Sequence, residues 1–190
     1  IALDIDSIAV TNGNLSFEDK KAGTKALVKN LNLTTGKVQD DVAFPLTLSF
    51  DAEQYAAGAT APSMTVGSKL DGNFRFNLGK QQYWVKQLDS AITVQGDATG
   101  GKPLTLTLAA DVTADAAKQA VALEYLKVAI ANLALSGKLA VNDFAKPAIS
   151  GALDVAPFDL NKLLSTLGQP AVETTDPDVL KAISLSTELG

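Results

Sequence analysis

Along most of the chain, apolar residues alternate one for one with Thr, Ser, Asn, Asp or Lys. Leu46-Thr47-Leu48-Ser49-Phe50, Phe74-Arg75-Phe76-Asn77-Leu78 and Leu104-Thr105-Leu106-Thr107-Leu108 show it most plainly. Ile8-Ala9-Val10, Leu15-Ser16-Phe17 and Leu31-Asn32-Leu33 follow the same rule. Successive side chains of an extended chain point to opposite sides, so a period of two predicts strands with one apolar and one polar face. Thr11-Asn12-Gly13-Asn14 reads as a hairpin turn, because Asn and Gly accept the positive φ of tight turns. Asp19 to Thr24 reads as a second polar turn.

An imperfect repeat underlies the alternation. A strand ends in Leu31-x-Leu33-x-x-Gly36, again in Ile92-x-Val94-x-Gly96, and again in Leu133-x-Leu135-x-Gly137. A proline follows each glycine, at Pro45, Pro103 and Pro147, and opens a strand expected to run out at Asp51, Asp111 and Asp154. Proline is tolerated at a strand's first residue because no ladder donor is lost there.

Two segments depart from the strand pattern. Leu160, Leu163, Leu164 and Leu167 follow helical spacing after Asp159 as N-cap, with Gly168 as the stop, predicting a helix over about 159–168. Asp176-Pro177 predicts a shorter helix over about 177–182. Ala114 to Leu126 is rich in helix formers, yet the repeat asks for a turn near Asp115–Lys118 and a strand through Leu123, Tyr125, Val128 and Ile130. The apolar parity slips between Ile130 and Leu133, which points to a bulge at Ala131-Asn132. The expected fold is mostly β: a long, antiparallel, repetitive curved sheet or groove, or a sandwich in this section, with one or two short helices near the C-terminal end. Residues 1–190 form a single β-rich segment, expected to be a fragment of a longer chain, since both ends fall in strand-like sequence.

Composition narrows the chemistry. There is no cysteine and no histidine, which excludes disulfides, thiolate zinc sites, cysteine nucleophiles and Ser–His–Asp triads. The net charge of −5 lacks the basic footprint that nucleic-acid binding needs. No apolar run approaches the ~18 residues of a membrane-spanning helix. Asp4/Asp6 and Asp40-Asp41 are read as solvated turn charges rather than acid–base pairs, because neighbours in a strand face opposite ways. Trp84 beside Tyr83 is read as packing or rim, and the Gly96–Gly101 turn lacks the lysine and strand–loop–helix setting of a phosphate loop. No catalytic residue, metal site or cofactor is expected.

The order of these weak features is itself informative. Leu153-Asp154-Val155-Ala156-Pro157-Phe158-Asp159-Leu160-Asn161-Lys162-Leu163-Leu164, then Leu167-Gly168 and Glu173-Thr174-Thr175-Asp176-Pro177, resembles the AsmA family, as does Ile8 to Asp19 with its Asn-Gly pair. The resemblance implies a β-rich periplasmic body of an inner-membrane-anchored protein, the anchor lying in a segment absent from this chain. It implies a role in outer-membrane biogenesis, with phospholipid or another envelope lipid carried along an apolar β-groove and envelope proteins as further partners. It supplies no catalytic residues.

A groove of that kind needs one sheet face apolar over many strands. The candidates are Leu46, Leu48, Phe50, Phe74, Phe76, Leu104, Leu106, Leu108, Leu133 and Leu135. The same ten residues would equally form the sealed core of a two-layer sandwich. In that case the chain is a structural β-repeat module that meets protein partners through its strand edges. The leucine helix is expected to cap the apolar face.

Overall fold

The computed structural model describes residues 3–169 and, for the backbone alone, 183–189. One antiparallel sheet takes up nearly all of it. Its strands are β2 (Ala9–Asp19), β3 (Thr24–Thr35), β5 (Phe44–Tyr55), β6 (Met64–Asn77), β7 (Gln82–Gly96), β8 (Leu104–Asp115), β9 (Ala120–Ile130), β10 (Leu133–Asn142), β11 (Ala148–Phe158) and β12 (Ile183–Leu189). They lie side by side in chain order from β2 to β12, each hydrogen-bonded to the next. A two-residue pairing of β1 (Asp4–Ile5) with β4 (Val38–Gln39) sits apart.

Among the described residues no second sheet faces the first, so the sandwich is not what forms. The sheet stays open, and burial is correspondingly thin. The only buried apolar residues described are Val38, Phe44, Ala110 and Leu126, and no side chain is fully buried. The accessible surface is 12094 Å², against about 8,600 Å² for a compact protein of this mass. Much of this excess is what a sheet with no second sheet packed on it among the described residues must show.

Several local expectations hold. The residue 20–23 turn joins β2 to β3, and the helix-prone Ala114–Leu126 stretch is a turn and then β9. Pro45, Pro103 and Pro147 each stand at the opening of a strand. The leucine-spaced segment is α1 (Leu160–Thr166), whose N-cap Asp159 accepts the Lys162 amide at 3.0 Å. The second helix, about 177–182, lies outside the described residues.

Others are corrected. Asn12-Gly13 is not a hairpin turn: it is a bulge inside β2, with Asn12 at φ 51°. Ala131-Asn132 is not a bulge: it is the turn from β9 to β10. The parity slip lies earlier, at Tyr125, where φ is 51° and the β8–β9 and β9–β10 registers shift. A left-handed residue serves either a turn or a bulge, and register with the neighbouring strand decides which. Gly137 falls inside β10 rather than ending it, and the strands after the prolines pass Asp51, Asp111 and Asp154 to end at Tyr55, Asp115 and Phe158.

Two of those aspartates have a mid-strand task instead. Gln87, at φ 53°, is the bulged residue of β7, and its amide donates to Asp111 on β8 at 2.8 Å. Asn30, at φ 53° in β3, donates through its side chain to Asp51 on β5, also at 2.8 Å. Bulges add twist and bend a strand, so these carboxylates hold the sheet where it turns.

Candidate functional site

Residues directly opposite in an antiparallel pair project to the same side. Following partners across the sheet gives one unbroken row: Val10, Leu33, Leu48, Leu70, Ser90, Leu108, Val128, Leu135 and Val155. Nine strands contribute and only Ser90 is polar. At about 4.8 Å per strand the row runs roughly 38 Å.

All ten sequence candidates lie on this side. Leu48, Leu108 and Leu135 belong to the row itself. Phe50 leads through Ser68 and Ile92 to Leu106, then Ile130 and Leu133. Leu46 lies opposite Gly72, and Leu104 opposite Val94. Phe74 meets Phe44 at 6.3 Å between ring centroids, and Phe76 meets it at 6.0 Å. The ten are half-buried, as expected for side chains that touch in-plane neighbours with no second sheet above them among the described residues.

The ten do not exhaust this face, for an identifiable reason. Val85 and Leu88 share this face although their numbers differ in parity, because the Gln87 bulge flips the alternation between them. Leu123 and Leu126 do the same across Tyr125, and Val28 and Leu31 across Asn30. Simple alternation cannot follow a face through a bulge. Gln87 and Tyr125 also flank the two best-covered apolar-face positions in mid-sheet, Ala110 at 4% exposure and Leu126 at 5%.

The opposite face is polar and cross-linked. Thr47, Asp71, Asp89, Ala109, Lys127, Ser136 and Asp154 form the matching row. Lys29 pairs with Glu53 at 2.6 Å, and the Tyr55 hydroxyl donates to the same carboxylate at 2.7 Å. These contacts lower the Glu53 pKa, Lys29 foremost, and raise those of Lys29 and Tyr55. The Gln87 amide and then Lys86, 3.0 Å away, lower the Asp111 pKa. Gln82 foremost does the same for Asp115. Trp84 lies on this side, half-buried, with the Arg75 guanidinium 4.5 Å from its ring centre. Asp41 accepts from Arg75 at 2.7 Å and is lowered by it, while Asp40 accepts the Leu78 amide and Asp4 pairs with Lys37. Each of these acids has a structural partner.

A depression of about 730 Å³ also lies on the polar side, over Thr107, Ala109, Ala129, Ala134 and Ser136, where small side chains leave room. Among the described residues no three acidic side chains gather as a metal site, and no helix is long and apolar enough to cross a membrane.

Comparison with known proteins finds no match. No family model fits the chain, and neither a curated protein nor a solved structure is similar to it.

Proposed function

We propose that this chain is a non-enzymatic lipid-carrying module whose apolar sheet face receives acyl chains. The carrying observation is the nine-strand row from Val10 to Val155, apolar at every position but Ser90 and uncovered by any second layer among the described residues. A monomer rarely exposes a contiguous apolar patch beyond a few hundred Å², so a face of this extent calls for an occupant. Each methylene laid on it gains about 0.8 kcal/mol, so a track without gaps is what acyl-chain movement requires. The polar face, tied by strand-bridging ion pairs, meets water at the same time.

The resemblance to the AsmA family supports phospholipid or another envelope lipid as the cargo. It supports the periplasm as the location, with attachment to the inner membrane by a segment outside this chain. Solvent extraction and mass spectrometry of protein purified from cells without detergent tests the proposal. Stoichiometric glycerophospholipid is expected, falling about tenfold when Leu108 and Leu135 are both replaced by Asp, because a buried charge on the track removes apolar burial on both sides. Protein free of lipid overturns it.

A protein-contact module is the second reading. It draws on outer strand β2, where Leu15 and Phe17 are 61% and 69% exposed. The Asn12-Gly13 bulge on that strand works against strand addition, because it breaks the regular row of donors and acceptors that a partner strand would pair with.

A further inference from the structure

We infer that α1 is a movable cap on one end of the apolar face. The inference rests on the lipid-track reading above. Asn132, in the turn between β9 and β10, donates its side-chain amide to the Asp159 carbonyl at 2.8 Å, so the start of α1 is held beside Leu133. At the other end Gly168 approaches the β7–β8 loop: a Cβ built on it would stand 3.8 Å from the Gly100 nitrogen. The helix therefore spans the end of the sheet from the β9–β10 turn to the loop that precedes Leu104. Leu104 and Leu133 are the apolar-face candidates nearest that end.

Among the described residues α1 is shallowly seated. No residue of α1 is buried, and Leu160, Leu163, Leu164 and the C-capping Leu167 are only half-covered. Asn132 presents one hydrogen bond to the helix, and its Oδ1 is buried with no protein partner among the described residues. Segments with few buried apolar contacts open at low free energy. A leucine-spaced helix held at the end of an apolar track has the same kind of surface to offer as an acyl chain, so the two would compete for the same covering position.

The test uses the full-length protein in cells, with a photo-reactive residue at Leu133 or, in mid-row, at Leu108. Asn132→Ala removes the hydrogen bond to the helix. Lys102→Cys with Gln169→Cys, joined by a short bis-maleimide, holds the helix closed, and residues 1–190 hold no other cysteine to react. The phospholipid adduct at Leu133 is expected to rise about fivefold in Asn132→Ala, the population change for a hydrogen bond of about 1 kcal/mol. It is expected to fall by a similar factor in the cross-linked variant, while the Leu108 adduct is unchanged in both. Equal Leu133 adducts in all three proteins, with Leu108 still labelled, overturn the cap and leave the track standing. No lipid at Leu108 in the unaltered protein overturns the track, and the cap with it.

Discussion

The backbone amide of Gln87 donates to the Asp111 carboxylate across 2.8 Å, joining β7 to β8 where β7 leaves its regular ladder. A bulge leaves an amide without its strand partner, and an unpaired donor there costs free energy. Asp111 supplies the missing acceptor and takes Lys86 at 3.0 Å on its other oxygen. The bulge then brings Leu88 onto the face that Val85 already occupies.

Removing that carboxylate is expected to loosen the bend. Asp111→Ala should lose about 1–2 kcal/mol in urea unfolding, the range for charge-assisted hydrogen bonds at a partly exposed site. Hydrogen exchange should accelerate at the Gln87 amide and stay unchanged at β5. Asp111→Asn, which keeps an acceptor but not the charge, should lose less.

Stability should be flat across neutral pH and fall in acid. Glu53, Asp41, Asp111 and Asp115 have folded pKa values below their unfolded ones, so their contribution is complete above about pH 4–4.5 and is lost as the pH drops through the folded values. Lys29 and Tyr55 are raised, so what they contribute is present below about pH 10 and is lost above it. With no histidine in the chain, no side chain whose ordinary pKa lies between about 5 and 8 is available to titrate. Urea midpoints measured from pH 3 to 11 should trace that plateau, and a step near pH 6.5 would contradict it.

How much of this could be read from the chain depended on whether the signal was local. Alternation in Leu104–Leu108 placed its strand and its face, and Asp159 with four leucines placed α1, because each pattern is complete within a few residues. Asn12-Gly13 reads as a turn and forms a bulge, while Ala131-Asn132 reads as a bulge and forms a turn. Both supply a left-handed residue, and only pairing with a strand elsewhere in the chain tells a bulge from a turn. Gln87 and Tyr125 carry no turn-like chemistry, so their bulges, and the membership of Leu88 and Leu126 in the apolar face, were hidden. The open single layer was equally out of reach, since one half-buried alternation suits a sandwich and a trough alike.

Close strand approach makes two glycines indispensable. A Cβ on Gly137 would collide with the Ala152 carbonyl oxygen, and one on Gly151 with that of Lys138, so the β10–β11 pair admits no side chain at either place. Gly137→Ala and Gly151→Ala should each lose about 2–4 kcal/mol or leave β11 unprotected in hydrogen exchange. Gly79→Ala, whose nearest neighbour is an Asn77 side-chain oxygen at 3.6 Å, should stay within about 0.5 kcal/mol.

Coverage along the apolar face should set the size of truncation effects. Leu126→Ala, at a 5% exposed position, should lose about 2–3 kcal/mol, and Leu15→Ala, at 61%, under about 1 kcal/mol. Thermal and urea unfolding of both variants measure the difference. Equal losses would mean that a covering layer buries Leu15 in the folded protein.

The most direct measurement is photo-crosslinking of the full-length protein in cells, with the probe placed in turn at Leu104, Thr105, Leu106, Thr107 and Leu108. The lipid-track account predicts phospholipid adducts at the three leucines and none at the two threonines, which point to the polar side of the same strand. Adducts to protein alone at the leucines, or lipid adducts that ignore the alternation, would contradict it.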